Sequence, residues 1–350
     1  NNIFCNWSFG DRLEEIMENA FIGKSYIREI YGATNLVLSP NEIVKGTSAV
    51  VKDQDGFLED IQMVTYDISQ AETKLYELKQ VCDNVGVEFS YISFPSKTNS
   101  ETSFANYGID TNQEETRESF LAGLKARGIS VLNVRTLLEG EGYSTKDIFY
   151  KTDHHWKSTA GLYGARAIAN YLNDNFGYSL RVDLLDEDLF TFTTYNDLWL
   201  GETGRNCSKT WVGVLDDFTK IVPTFDTSLE IGSQYEEYDY SGDFSILINE
   251  SGYNDGVDLY NYSAHYSYGQ RIGSPTWLHN NNVEGKKILI VKDSFSMVTI
   301  SFLLLTTSDI AVWDVRVTKE GLYDYIAKND FDIVLVAYTD FWNSSSYIFN

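Results

Sequence analysis

Residues 286–305 read KKILIVKDSFSMVTISFLLL, and this stretch decides the fold class. Its first part, Lys286–Lys292, is a run of apolar and β-branched residues with the length of a buried strand. Residues 295–305 are typical of a buried helix, so a strand passes into a helix at Asp293-Ser294. A serine at such a junction exposes its oxygen at the edge of a sheet, where the helix N-terminus can stabilise an oxyanion.

The same alternation of helix and strand recurs on both sides of this stretch. The predicted helices are Ile68–Asn84, Asn112–Arg127 (ended by Gly128), a helix that follows Trp156 and ends near Gly177, and Lys319–Asn329. The predicted strands are Val85–Phe94, Ile129–Val134, Ile310–Val315 and Phe331–Tyr338. Continuous apolar strands between helices predict an α/β fold, a three-layer α/β/α sandwich with a central, mostly parallel sheet. In such sheets ligands bind at the carboxyl ends of the strands.

Two regions depart from this alternation. Near the start, residues 11–31 indicate a helix and a connection, and Val50–Glu59 indicates two short strands around an Asp-Gly turn. Between about residues 180 and 285, short runs such as Phe190–Thr194 and Phe244–Ile248 stand among Gly, Asn, Asp and Ser. We expect residues 1–350 to form one domain, in which residues 180–285 are a β-rich insertion or cap.

Composition narrows the possible functions. The 350 residues carry 27 basic and 51 acidic side chains, a net charge of −24, so the basic surplus that binds nucleic acid is missing and no nucleic-acid partner is expected. The apolar stretches are shorter than the roughly 18 residues that a membrane span needs. Three cysteines, Cys5, Cys82 and Cys207, without a CxxC pattern argue against a disulfide framework and a zinc site. We expect no cofactor.

A second segment of chemical interest is Thr152-Asp153-His154-His155-Trp156, which holds two of the four histidines. On an extended backbone, adjacent side chains point to opposite sides, so Asp153 and His155 share one side and His154 takes the other. One imidazole can then face a serine while the carboxylate orients it. The alternative is that these residues have a structural role. Asp153 would then cap the helix that follows Trp156, and Asp293 or Ser294 would cap the helix predicted at residues 295–305.

A metal site is the other alternative for the same segment. Asp153, His154 and His155, with His265 or His279, offer oxygen and nitrogen ligands. Adjacent histidines seldom reach one ion together, and no HExxH pattern is present. This alternative is therefore disfavoured.

Taken together, these motifs resemble a known family. YKTDHHW from Tyr150, with FPSK (Phe94–Lys97) upstream and KDSFS from Lys292 downstream, is similar to the DHHW proteins, relatives of the SGNH-hydrolase-like O-acetyltransferases that modify alginate and cell-wall polysaccharides. The resemblance covers most of the chain. Supporting matches are the DQDGFLE turn near Asp55, the LGETGR block from Leu200 and the VWDVR block ending at Arg316.

The resemblance implies an SGNH-hydrolase-like fold with a triad of Ser294, His155 and Asp153, in which the Asp and the His precede the Ser, the reverse of ordinary SGNH hydrolases. The His directly before the Trp matches the family's catalytic position, which selects His155 over His154. The oxyanion donor implied is the N–H of Ser294. Candidates for lining the acceptor site, by resemblance or by position at a predicted loop, are Trp156, Lys97, Arg205 and Arg316.

We therefore expect an extracytoplasmic O-acetyltransferase that modifies hydroxyls of a bacterial surface or secreted polysaccharide through an acetyl-serine intermediate. A membrane-bound acyltransferase is the partner that the resemblance implies as acetyl donor, and an N-terminal leader or anchor is expected in the full gene product. Two alternatives stay open on the sequence: a carbohydrate acetylesterase with the same triad, and a catalytically silent polysaccharide-binding protein.

Overall fold

A computed structural model describes residues 24–45, 48–62, 66–98, 113–233, 239–253, 258–269, 271–318 and 321–341. The helices are α1 (Lys24–Leu38), α2 (Ser69–Val85), α3 (Gln113–Ala126), α4 (Val134–Gly140), α5 (Thr145–Ile148), α6 (Ser158–Phe176), α7 (Glu202–Cys207), α8 (Lys209–Val212), α9 (Ser296–Leu303) and α10 (Leu322–Lys328). The strands are β1 (Glu42–Lys45), β2 (Ser48–Lys52), β3 (Leu58–Gln62), β4 (Glu88–Ser93), β5 (Ser130–Asn133), β6 (Phe190–Trp199), β7 (Asp216–Pro223), β8 (Leu229–Gly232), β9 (Tyr240–Gly242), β10 (Thr276–Asn280), β11 (Lys287–Lys292), β12 (Asp309–Trp313) and β13 (Ile333–Tyr338).

An eight-stranded sheet in the order β5-β4-β13-β11-β12-β10-β8-β9 forms the centre of the fold. The first five strands in this order run parallel, and β10, β8 and β9 extend the sheet with antiparallel pairs. The mostly parallel sheet expected from the sequence is confirmed. Smaller sheets are formed by β1-β2-β3 and by β6-β7.

Helices cover both faces of the central sheet. Successive side chains of a strand point to opposite faces, so each strand contributes to the core on both sides. In β11, Ile288 and Ile290 join an apolar cluster with α6 and α9, whereas Leu289 and Val291 join the cluster that contains α2, α3 and α10. This arrangement explains why the strands read as continuous apolar runs instead of alternating ones. The expected three layers are confirmed.

Two helices end where the sequence predicts. Gly128 follows the end of α3 with φ 74°, and Gly177 follows α6 with φ 67°. Glycine is the residue that adopts this left-handed conformation at least cost, and it is common after the last helical residue. The chain then returns directly to the sheet at β5 after α3.

The segment 180–285 differs in part from the expectation. The run at Phe190 is a strand, but Phe244–Leu247 is a 3₁₀ helix instead of a strand. Asp243 accepts a hydrogen bond from Ser245 N at 3.0 Å, and the three-residue spacing of the buried Phe244 and Leu247 matches one 3₁₀ turn. Three strands of the segment, β8, β9 and β10, extend the central sheet. The division into one domain with an insertion or cap stays a prediction.

The expected helix at 11–31 lies partly outside the described residues, and the strands around the Asp-Gly turn are β2 and β3. Among the described helices, none combines the length and the apolar character needed to cross a membrane.

Candidate active site

A strand-to-helix turn presents Ser294 at the carboxyl edge of the sheet, between the end of β11 and the start of α9. The carboxylate of Asp293 holds this turn, since it accepts hydrogen bonds from Phe295 N and Thr339 N, both at 2.9 Å. Ser294 itself is half-buried and makes no cap for α9. The Ser294 hydroxyl is therefore not used in capping a helix, and the structural alternative of a helix cap is wrong for Ser294.

The loop that carries Asp153 and His155 is fixed by two buried charges. The carboxylate of Asp216 accepts hydrogen bonds from Lys151 N and from the N and Oγ1 of Thr152. The ammonium of Lys97 donates to the carbonyl oxygens of Tyr150 at 2.7 Å and of Lys151 and Asp153 at 2.9 Å. These bonds hold an irregular segment in one conformation without a strand or helix to support it.

The structure brings Asp153, His155 and Ser294 into one hydrogen-bonded chain. Asp153 Oδ1 lies 2.7 Å from His155 Nδ1, and His155 Nε2 lies 2.7 Å from Ser294 Oγ. A carboxylate can only accept, so Nδ1 carries the proton and Nε2 is free to accept from the serine hydroxyl. The expectation that His154 takes the other side is wrong. This loop is not an extended strand, and the His154 ring centroid lies 3.9 Å from that of His155, with 40% of the His154 side chain exposed.

The Asp153 carboxylate is held from both sides. Its Oδ1 also accepts from His155 N at 2.8 Å, and its Oδ2 accepts from Glu202 N at 2.6 Å, at the start of α7. Burial on its own raises the pKa of Asp153, but the charge that His155 carries when it is protonated at low pH, together with its hydrogen bond, holds the pKa of Asp153 well below its ordinary value. The carboxylate is thus ionised at neutral pH.

Gly201 makes the close approach of α7 possible. A Cβ built on Gly201 would overlap the backbone and Cβ of Asp153. The LGETGR block therefore contributes a glycine that lets the chain pass against the Asp153 loop, and a backbone N–H, that of Glu202, that reaches the carboxylate.

A third histidine completes the surroundings of His155. The ring of His265 stacks on that of His155, with centroids 3.6 Å apart and an angle of 14° between the planes. His265 Nε2 lies 3.0 Å from the carbonyl oxygen of Ser294, which accepts, so this nitrogen carries a proton. Burial lowers the pKa of both rings, which leaves them neutral at pH 7. The sequence offered His265 only as a possible metal ligand, because it lies in a 3₁₀ turn far along the chain from both motifs.

Trp156 lies in the core, with none of its surface exposed. Its Nε1 donates to the carbonyl of Phe295 at 3.0 Å, and its ring lies against Gly164. This placement argues against the expected contact with an acceptor. The indole instead links the loop of His155 to the turn of Ser294.

The three basic candidates occupy different places. Lys97 lines the cleft described below, but its three N–H groups are all used by loop carbonyls, and burial lowers its pKa to about 8. Arg205 Nη1 donates to the Tyr262 carbonyl at 3.0 Å. Arg316 lines the cleft and pairs with Asp314 through two bonds, of 2.9 and 2.6 Å. Of the three, Arg316 remains the best placed for a ligand.

A cleft of about 530 Å³ opens in front of Ser294. Its wall includes His154, Glu202, Phe295, Arg316 and Thr339. Polar groups thus converge on the half-buried serine from the ends of several elements, as in ligand sites of open α/β sheets.

The same segment holds the group of side chains best spaced for a metal among the described residues. One ligand atom from each of Asp153, His154 and His155 lies within 4.8 Å of the others. Both ring nitrogens of His155 are already hydrogen-bonded, however, to Asp153 and Ser294. The arrangement thus fits proton transfer better than metal ligation.

The fold and the site define an α/β protein in which a serine, a histidine and an aspartate are joined by hydrogen bonds at the carboxyl edge of a mostly parallel sheet. Residues 59–197 match the family model described as the SGNH hydrolase-like domain of the acetyltransferase AlgX. The resemblance to these acetyltransferases is therefore confirmed, over a region that contains Asp153 and His155 but not Ser294. No curated protein matches the chain.

Solved structures support the fold over most of the chain. A DHHW family protein from Eubacterium siraeum superposes with a TM-score of 0.66 at 16% identity, over 87% of this chain and 94% of that one. PatB1 from Bacillus cereus gives 0.66 at 20% identity, over 89% and 100%. PatB1 with a sulfonyl adduct gives 0.65 at 20% identity, over 85% and 96%. At these identities the likeness concerns the fold.

Proposed function

We propose that this protein is an extracytoplasmic O-acetyltransferase that transfers acetyl groups to hydroxyls of a bacterial surface or secreted polysaccharide. The observation that carries the proposal is the chain of two 2.7 Å contacts from Asp153 through His155 to Ser294. The match to an acetyltransferase domain supports the acetyl group as cargo. A membrane-bound acyltransferase is the proposed source of that group, and the proposed location outside the cytoplasm follows from the same family.

The first half of the reaction forms an acetyl-serine. Ser294 Oγ attacks the carbonyl carbon of the acetyl donor while its proton passes to His155 Nε2. The ionised Asp153 stabilises the resulting imidazolium, and Ser294 N–H stabilises the oxyanion. The bond between the acetyl carbon and the donor oxygen then breaks, and His155 gives its proton to the leaving oxygen.

The second half transfers the acetyl group. A sugar hydroxyl attacks the acetyl-serine and loses its proton to the now neutral His155, which returns that proton to Ser294 Oγ as the ester bond to the serine breaks. Water in place of the sugar gives acetate, which is the esterase reaction. The cleft is open to solvent at Ser294, so the ratio of transfer to hydrolysis depends on how well the acceptor fills it.

The test is a burst assay with a chromogenic acetyl ester, followed by intact-protein mass measurement. We expect a burst and an acetyl adduct on Ser294 in the wild type, and loss of both in Ser294→Ala and His155→Ala, by about three orders of magnitude or more. Ser296→Ala is the matched control, because its hydroxyl donates to the Ala337 carbonyl, away from His155.

An adduct on another residue, or a burst that survives in Ser294→Ala, would exclude the proposed nucleophile. Added polysaccharide that captures the acetyl group indicates a transferase, whereas acetate release unaffected by any acceptor indicates an esterase.

A further inference from the structure

A buried hydroxyl without a hydrogen bond belongs to a residue that lines the same cleft as the proposed nucleophile. Thr339 follows the last residue of β13 and is 8% exposed. Within the described part of the chain, its Oγ1 has no hydrogen-bond partner. Buried polar groups in proteins are nearly always satisfied, so an exception needs an explanation, and a ligand that supplies the missing partner is one.

The position of Thr339 points to the reacting group as that partner. Thr339 lines the cleft in front of Ser294, and its backbone N–H binds the same Asp293 carboxylate that holds Phe295 N. The Asp293 carboxylate thus connects Thr339 to the turn formed by Asp293, Ser294 and Phe295. The parallel pairing of β11 with β13 places the two strand ends side by side.

We propose that the Thr339 hydroxyl donates a hydrogen bond to the carbonyl oxygen of the acyl group at Ser294, and so acts with Ser294 N–H in stabilising the oxyanion. This inference rests on the proposed function. A donor whose hydrogen bond forms only with the bound acyl group stabilises the transition state without competing for a partner in the free protein.

The proposal has a signature that a purely structural threonine lacks. Replacement by valine keeps the shape and removes an unsatisfied buried hydroxyl, so stability should be unchanged or higher while activity falls. Loss of one oxyanion donor lowers the chemical step by roughly 100- to 1000-fold. Thr339→Ser keeps the donor and should retain most of the activity.

The experiment compares the burst rate constant for a chromogenic acetyl ester and the thermal midpoint of the wild type, Thr339→Val and Thr339→Ser. The matched control is Thr299→Val in α9. Thr299 Oγ1 is also buried without a partner among the described residues, but it is not part of the cleft wall. We expect Thr299→Val to keep the wild-type burst and Thr339→Val to lose roughly 100-fold or more in its rate constant, with neither midpoint lowered.

A normal burst rate in Thr339→Val would overturn the role of Thr339 and leave the proposed function standing. Equal losses in Thr339→Val and Thr299→Val would likewise overturn it, because they would indicate a general effect of losing a buried hydroxyl. Absence of any burst in the wild type would instead remove the proposed function, and this inference with it.

Discussion

At the scale of the residue, the histidine that contacts Ser294 is itself supported by a second histidine. His265 stacks on His155 and donates to the Ser294 carbonyl, so it contacts the proposed base on one face and the backbone of the proposed nucleophile through one hydrogen bond. A neutral ring against His155 also avoids repelling the imidazolium that forms when the serine proton is taken up. In the proposed mechanism His265 is therefore a positioning residue.

Two replacements of His265 separate its ring stacking on His155 from its hydrogen bond to the Ser294 carbonyl. His265→Phe keeps a flat ring against His155 but removes the donor to Ser294, so we expect kcat/KM for an acetyl ester to fall by about 10- to 100-fold through misplacement of the turn. His265→Gln, which can still donate, should recover part of this loss. The measurement is steady-state kinetics together with the rate at which a sulfonyl fluoride labels Ser294. A labelling rate equal to that of the wild type in His265→Phe would contradict the positioning role.

At the scale of the element, the site depends on close contacts between segments far apart in the chain. The N-terminus of α7 approaches the Asp153 loop at Gly201, where a side chain would overlap that loop. Lys97 and Asp216 hold the same loop from the other directions, through bonds to its carbonyl and N–H groups. Three segments that are distant in the chain, which contain Lys97, Gly201 and Asp216, therefore fix the conformation of the Asp153 loop. A change in any of them can move Asp153 and His155.

Gly201→Ala tests this close approach. The added methyl group must push α7 away from Asp153, which lengthens the Glu202 N–H bond to the carboxylate. We expect roughly a 100-fold loss of kcat/KM and a loss of about 2 kcal/mol in the free energy of unfolding. Gly140→Ala is the control, because no atom lies within 4 Å of its added Cβ and its φ is not left-handed. Equal activity in Gly201→Ala and Gly140→Ala would show that the approach is not needed.

Sequence patterns predict the elements better than the contacts between them. The helices and parallel strands follow from periodicity. The alternation of side chains expected from an extended Asp153–His155 segment does not hold, because this segment is a bent loop in which His154 lies beside His155. Periodicity is local, so it carries no information on the hydrogen bonds of His265 and Asp216, whose partners lie 29 and 65 residues away along the chain. The same limit explains why the sequence placed Trp156 at the acceptor site although it lies in the core. An indole after two histidines is compatible with a binding surface as well as with a core.

At the scale of the whole molecule, the buried neutral histidines couple stability to pH. An unfolded histidine has a pKa near 6.5, whereas burial lowers the pKa of both His155 and His265 in the folded protein. As the pH falls below 6.5, the unfolded chain therefore takes up protons that the folded protein does not, and stability declines.

We expect each of these two histidines to lower the free energy of unfolding by about 2 kcal/mol between pH 7 and pH 5. Urea unfolding at both pH values measures this, and His265→Phe should show a smaller decline than the wild type by about that amount. His279→Gln is the control, since His279 lies at the opposite, amino end of the parallel strands, where it contacts Asp309. Identical declines in the wild type and His265→Phe would mean that His265 takes up its proton in the folded protein as readily as in the unfolded chain. That result would contradict a neutral His265, and with it the argument that His265 stacks on His155 without opposing the charge formed during catalysis.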